Sequence, residues 1–357
     1  MDKKSIFIAG AGHIGPAIAH ILSQAPEYRV VLADLAKLSI KTTSFEIVAL
    51  DISDDAALKT YFDANPFDAF VCCLPHYLTV KIADLAATYK AHYFDLTEDV
   101  KAGERIAQLA KSSSNAFVSH CGLAPGFINI VAQDLIISFD SVDEAKLRCG
   151  ALPQSSSNAL QYARTWSTDG LINEYLNPCL QLMDGEIVYA PGLDDLEEIQ
   201  IDGATYEAFN TSGGVGTLID THQGKVKSLS YKTIRYAGHN EKMRFLARGL
   251  KLDHDRPTLK KILENATPLT DEDVVIVYVA VVGSINNQTQ RKAFVRKYYP
   301  TEIAGKNFTA IQSTTASGAS AIIDIVLSSG ARYQGFVRQE DFTLTQLLDN
   351  RFGRLLK

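Results

Sequence analysis

The chain has 357 residues, 46% of them apolar and 21% charged, which excludes a disordered protein and at this length suggests two domains. With 35 Lys and Arg against 41 Asp and Glu the net charge is −6, so no overall basic field exists to grip phosphate backbones. Nucleic acid is excluded as an expected partner, and small molecules remain.

Five cysteines, Cys72, Cys73, Cys121, Cys149 and Cys179, form no Cys-x-x-Cys pair and no even disulfide set, so reduced thiols in a cytoplasmic protein and no metal site are expected. The apolar opening run is interrupted by Gly10, Gly12, Gly15 and Pro16, unlike an export signal. No uninterrupted apolar stretch approaches the roughly 18 residues of a membrane span.

In chain order, the first third reads as strands at Ser5–Ala9, Arg29–Ala33, Phe45–Leu50, Ala69–Cys73, His92–Phe94 and Ala116–Ser119. Helices fall between them at Gly15–Leu22, Ala56–Phe62, Leu78–Tyr89 and Lys101–Ser112. Strands alternating with helices predict βαβ units, a Rossmann-type doubly wound α/β domain over 1–125. After about Gly126 the rhythm changes to strands at Lys146–Cys149, Ile199–Asp202, Val226–Tyr236, Asp273–Val282 and Arg291–Tyr298. The helices expected there are Glu241–Leu250, Thr258–Glu264 and Ala316–Leu327. This predicts a second α+β domain over 126–330, with a largely antiparallel or mixed sheet. The segment 331–357 is expected to return to the first domain.

Gly10-Ala11-Gly12-His13-Ile14-Gly15 matches G-x-G-x-x-G, directly after a strand and at the mouth of a helix. Gly10 allows the tight turn, Gly12 lets backbone approach a pyrophosphate, and Gly15 lets helix and strand pack closely. Asp34 ends the next strand, 24 residues after Gly10, where a carboxylate accepts ribose hydroxyls and repels a 2′-phosphate. NAD is therefore favoured, while Lys37 nearby keeps NADP open. Asp51 and Ile52 are candidates for the adenine side, with Asp51 as a helix N-cap the competing reading.

Ligands of doubly wound sheets lie beyond the carboxyl ends of the strands. Three such ends are polar here: Leu74-Pro75-His76-Tyr77, Asp95-Leu96-Thr97-Glu98-Asp99, and His120-Cys121-Gly122-Leu123-Ala124-Pro125-Gly126. Cys73, Leu74 and Pro75 are expected beside the cofactor. His76 can transfer a proton near neutral pH, and Asp95 or Glu98 can hold an ammonium group or act as base. For each of these the competing reading is a capping or solvated loop residue. Cys121 adjoins His120, but neighbours on an extended strand point to opposite faces, which favours a packed thiol over a nucleophile.

The glycine turn, Tyr93 to Glu98, Cys121 to Gly126, Tyr162 to Tyr175 and Lys232 to His239 together resemble the saccharopine dehydrogenase family, especially its short members of lysine 6-dehydrogenase type. The resemblance runs from residue 5 to Arg354 and implies NAD(P)-linked chemistry at the C–N bond of an amino acid, through an imine, in a homodimer. It also implies a substrate site in the second domain. Tyr162 and Trp166 lie in its signature, with Trp166 as a core residue the competing reading. Arg235 offers a fork for an α-carboxylate, against a structural salt bridge. Glu98 is a further substrate candidate, and His239 either joins the motif or starts the following helix. Two departures are Ala151 in Gly150-Ala151-Leu152-Pro153, where relatives carry Gly, and Ala237, where Pro is usual. They count against saccharopine as substrate, as does a chain too short for the extra helical segment of the glutamate-forming enzymes. The rival functions are reductive condensation forming a secondary amine, of saccharopine or carboxynorspermidine type, and a non-catalytic NAD-binding sensor.

Overall fold

The computed structural model describes residues 3–35, 42–156 and 158–357. Met1, Asp2 and Lys37 lie outside them. Contacts divide the chain into two units: residues 1–127, 303–306 and 312–357 form the first, 128–302 and 307–311 the second.

In the first unit, strands β1 (Lys4–Ala9), β2 (Tyr28–Asp34), β3 (Glu46–Ala49), β4 (Ala69–Cys72), β5 (His92–Asp95) and β6 (Ala116–Val118) alternate with helices. The helices are α1 (Gly15–Leu22), α2 (Asp55–Ala64), α3 (His76–Thr88) and α4 (Val100–Ala110). All strand pairs are parallel in the order 3-2-1-4-5-6, and a late strand, Gly335–Val337, adds beside β6. A strand flanked on both sides and covered on both faces must be apolar throughout, and Ile6–Ala9 is fully buried accordingly. The order reverses between β1 and β4, the switch point at which such sheets open a crevice. Phe7, Phe62, Phe67 and Phe70 pack edge-on or tilted in the core on one sheet face.

The C-terminal return is held by a buried carboxylate. Asp324, on the Ala310–Ser328 helix, accepts from Tyr28 Oη at 2.6 Å, Asn350 Nδ2 at 2.7 Å and Arg351 Nη2 at 2.6 Å. That helix begins six residues before the sequence pattern shows it, because Ser313, Thr314 and Thr315 are buried hydroxyls that read as polar. Its 19 residues are long and apolar enough to cross a membrane, but they are mostly buried within the protein. The chain touches the first unit at 303–306 and stays in it from Gln312 onward rather than from 331, since most of this helix packs there.

The second unit opens in α5 (Phe127–Ile136) and carries a mixed sheet. Its elements are β7 (Ser141–Pro153), α6 (Thr168–Leu176), β8 (Cys179–Met183), β9 (Glu186–Ala190), β10 (Glu197–Ile201), β11 (Ala204–Asn210), α7 (Leu218–His222), β12 (Val226–Tyr236), α8 (His239–Arg244), α9 (Arg256–Ala266), β13 (Asp273–Ile285) and β14 (Gln288–Tyr298). The order is 10-11-12-7-13-14, with β8 on β12 and β9 on β8. Only β12 and β7 run parallel within this sheet among the described pairs. The helix expected over Glu241–Leu250 is shorter and broken: α8 starts at His239 behind Gly238, whose φ is +89°, and Phe245–Gly249 widens into a π-turn.

Candidate functional site

The β1–α1 turn shows why three glycines are needed. A Cβ on Gly10 would sit 2.7 Å from the Cys73 carbonyl oxygen, and one on Gly15 only 1.9 Å from that of Gly10. Gly12 differs. It is exposed, and among the described residues a Cβ there would meet nothing within 4 Å, so the turn presents bare backbone at the helix tip. Asp34 accepts the Ala11 N–H at 2.8 Å, so the acid at the end of β2 braces the turn as well as standing beside it. Ile14 caps α1, its carbonyl accepting from Ala17 and Ile18, and Pro16 needs no donor that early in the helix. His13 is exposed, and its carbonyl accepts from Gln312 Nε2 at 3.2 Å, a link across 299 residues that no local pattern announces. A backbone cradle at a helix N-terminus beside a carboxylate fits the pyrophosphate and ribose of a dinucleotide.

Beyond β3, the sequence expectation for Asp51 is half corrected. Asp54, not Asp51, caps α2, accepting from Ala56 and Ala57 at 3.0 Å. Asp51 remains exposed and accepts from the N–H and hydroxyl of Ser53, both at 2.7 Å, which hold its carboxyl below the usual range. The Ile52 side chain is buried in the core. At the end of β4, Cys73 donates its N–H to Ala9, burial pushes its thiol well up, and Leu74 lines the glycine turn. Pro75 and His76 are exposed, His76 as the first residue of α3 with its ring edge-on to Tyr77.

Asp95 is not an open base. It is 1% exposed; Oδ1 accepts from the N–H groups of Thr97 at 2.9 Å and His120 at 3.2 Å, and Oδ2 from the Ser119 hydroxyl at 2.9 Å. Burial raises its pKa, while His120 and these three donors pull the other way. Its role here is to knit the loop after β5 to the loop after β6. His120, left-handed at φ +66°, donates Nδ1–H to the Thr97 carbonyl at 2.7 Å. Gln339 from the C-terminal return donates to Ser119 O at 2.7 Å and Cys121 Sγ at 3.5 Å. Burial drives the Cys121 thiol far up, so it is a packed thiol. Glu98 is half-buried in the same loop, and Asp99 caps α4 through Ala102.

In the second unit a polar cluster surrounds Arg235. The side chain is 2% exposed and stacks on the rings of Tyr162 at 5.1 Å and Tyr175 at 5.7 Å. Its Nε donates to Tyr175 Oη at 2.9 Å, and Nη1 to Thr233 Oγ1 at 2.6 Å and Ile234 O at 2.8 Å. The expected open fork is therefore largely committed, and among the described residues only the Nη2 corner, 3.9 Å from Glu174 Oε2, is left without a hydrogen bond. Burial opposes the Arg235 charge, but Tyr175, Tyr162 and Glu174 outweigh it, so the group stays protonated. His239, buried, donates Nδ1–H to Leu160 and accepts the Tyr175 hydroxyl on Nε2 at 2.9 Å. Burial, then the Arg235 charge, push it down to about 3, consistent with a neutral ring. Tyr162 is buried, and Trp166 is half-exposed with its ring on Gly170. Lys232 does not join the cluster; it pairs with Asp195 at 2.9 Å and Glu197 at 3.3 Å. Sequence reasoning missed Glu174, because α6 itself is not signalled and a carboxylate among polar neighbours reads as surface.

A parallel 3-2-1-4-5-6 sheet with an open glycine turn at its switch point defines a Rossmann-type dinucleotide-binding protein. Residues 6–120 match the profile described as the saccharopine dehydrogenase NADP binding domain, and residues 122–357 that of the saccharopine dehydrogenase C-terminal domain. The chain belongs to the saccharopine dehydrogenase family. It is 22% identical over 316 residues to the saccharopine dehydrogenase [NADP(+), L-glutamate-forming] of Pyricularia oryzae, covering 82% of this chain and 70% of that one. It is 20% identical over 317 residues to the mitochondrial alpha-aminoadipic semialdehyde synthase of Bos taurus, covering 83% of this chain but 33% of that protein. Among solved structures, apo saccharopine dehydrogenase (L-Glu forming) from Saccharomyces cerevisiae superposes with a TM-score of 0.77 at 16% identity over 98% of both chains. C. glutamicum DAP dehydrogenase gives 0.53 at 12% identity, covering 100% of this chain and 99% of that one. At these identities the structural likeness is one of fold.

Proposed function

We propose that this protein is a pyridine-nucleotide-dependent oxidoreductase acting on the C–N bond of an amino acid, with NAD as its preferred cofactor. The observation that carries the reading is the open backbone at Gly12 beside Asp34. Gly12 and the α1 tip would take the pyrophosphate, and Asp34 the ribose hydroxyls, where a 2′-phosphate meets like charge. A nicotinamide bound there supplies a hydride acceptor. What the chain must add is a group that takes a proton from the amine, and later from an attacking water, near neutral pH. The exposed His76 at the start of α3 fills that role; Asp95, enclosed and fully bonded, holds the neighbouring loops. Family membership supports chemistry at CH–NH groups, and the polar cluster around Arg235 supports an amino-acid substrate.

The test is a panel of amino acids and polyamines followed by nicotinamide absorbance with NAD and with NADP. Turnover of an amino acid with NAD preferred is the expected result. Failure of the purified chain to bind either nucleotide by calorimetry would overturn it. The same panel run with amine and aldehyde or keto acid tests reductive condensation.

A further inference from the structure

Helix α6 is capped by Ser167, whose hydroxyl accepts from Gly170. Gly170 and Glu174 are four residues apart and so share one face of it. The Trp166 ring lies on Gly170 so closely that a Cβ there would come within 2.3 Å of it, leaving Glu174 one turn further along the same face. Glu174 is 7% exposed, and its Oε2 is buried without a hydrogen bond among the described residues. Thr165 Oγ1 and Thr211 Oγ1 are buried in the same condition.

A buried ion pair that serves structure closes to about 2.7–2.9 Å, because desolvating two charges is otherwise poorly compensated. The Glu174–Arg235 pair stays at 3.9 Å, with donor capacity left on Nη2 and acceptor capacity left on Oε2. Two opposite charges held apart, each with one unsatisfied corner, are a receptor for a molecule that carries both charges on adjacent atoms.

We infer that Glu174 and the Nη2 corner of Arg235 form a zwitterion receptor in the second unit, Glu174 taking the α-ammonium and Arg235 the α-carboxylate of an amino acid. In an α-amino acid the ammonium nitrogen and the nearer carboxylate oxygen are about 2.7 Å apart. Charge-assisted bonds of about 2.8 Å on either side then close a quadrilateral on the observed Nη2 to Oε2 separation. Arg235 is held for this by Tyr175, Thr233 and Ile234, so its free edge is fixed in direction. This assignment rests on the amino-acid reading given above and adds to it the residue that distinguishes an α-amino acid from a simple carboxylic acid.

The experiment is calorimetric titration of the full chain, saturated with NAD, with L-lysine and L-glutamate. Each is compared with its counterpart lacking the α-amino group, 6-aminohexanoate and glutarate, and with that lacking the α-carboxylate, 1,5-diaminopentane and 4-aminobutanoate. At least one amino acid is expected to bind tenfold or more tightly than both of its counterparts. Glu174→Gln is expected to reduce the preference over the deaminated counterpart to within threefold, with NAD affinity unchanged within twofold. Glu174→Asp, which keeps the charge, is expected to retain part of that preference. A preference that survives Glu174→Gln, or NAD binding with neither amino acid bound, overturns the receptor and leaves the oxidoreductase reading standing. Absence of NAD binding to the wild-type chain overturns that reading instead. Equal binding of an amino acid and its deaminated counterpart by the wild type would assign the orphaned Oε2 to an ordered water.

Discussion

The Glu174 carboxylate stops 3.9 Å from the Arg235 guanidinium, and burial around it pushes its pKa up to about 7 against the lowering pull of that arginine. A carboxyl raised in the folded state binds its proton more tightly there than in the unfolded chain, so its contribution to stability is complete below about 4.5 and is lost as pH rises through about 7.

Glu174→Gln removes this titration. Relative to wild type, the variant should gain stability between pH 4.5 and 8, by roughly 3 kcal/mol over the window. Urea melts of both proteins across that range measure it. A constant difference would show that the carboxyl titrates at its ordinary value.

The three glycines of the first turn should separate cleanly. Gly10→Ala and Gly15→Ala drive a Cβ into backbone and should destabilise the fold by about 1–3 kcal/mol or more. Gly12→Ala meets nothing among the described residues and should melt within a few degrees of wild type, while nucleotide affinity falls at least tenfold. Thermal melts and NAD titration on the same samples check both halves.

How much of this was legible in the sequence depends on how local the cause was. β1, α1 and β2 follow from an apolar run, a glycine turn and a second run, each signalled within ten residues. The edges of β7 are harder to see, because Glu144 and Lys146 alternate with buried Ala145 and Leu147 in a strand covered differently on its two faces. β8 and β9, five residues each, are short runs whose partners are set by the Asp184-Gly185 turn. α6 hides behind Gly170 and the acids Asp169 and Glu174. At the site, the glycines and Asp34 announce themselves by spacing. Gln312, Gln339 and Glu174 do not, because their roles come from contacts formed tens to hundreds of residues away.

His76 and Asp95 should part in the same way. His76→Ala touches an exposed ring and should leave the melting temperature unchanged while altering the pH dependence of kcat/KM. Asp95→Ala strips the acceptor from Thr97, Ser119 and His120 and should cost about 3 kcal/mol or more, as loss of a buried multiply bonded group does. Pairing each melt with a pH–rate profile separates proton transfer from loop support.

Asp34 faces two demands, bracing Ala11 and meeting the ribose. Asp34→Asn keeps an acceptor for the Ala11 N–H but removes the charge, so the fold should hold and the NAD-over-NADP ratio should fall tenfold or more. Asp34→Ala removes both and should lower affinity for both nucleotides. Titrating the two variants with each nucleotide distinguishes charge from bracing; an unchanged ratio in Asp34→Asn would move cofactor discrimination elsewhere.

The C-terminal return depends on Asp324, which satisfies Tyr28, Asn350 and Arg351 together from a largely buried position. Removing that carboxylate by Asp324→Ala leaves Tyr28 and Asn350 without that acceptor, while Arg351 keeps its pairing with Glu27, and should destabilise by about 2–4 kcal/mol. Tyr28→Phe deletes one hydroxyl, and should cost only about 1 kcal/mol. The tyrosine loss should be largely absent when tested in the Asp324→Ala background, since the hydroxyl has no acceptor left there. A double-mutant cycle by chemical denaturation measures the coupling, and full additivity of the two substitutions would mean that the hydroxyl contributes independently of the carboxylate.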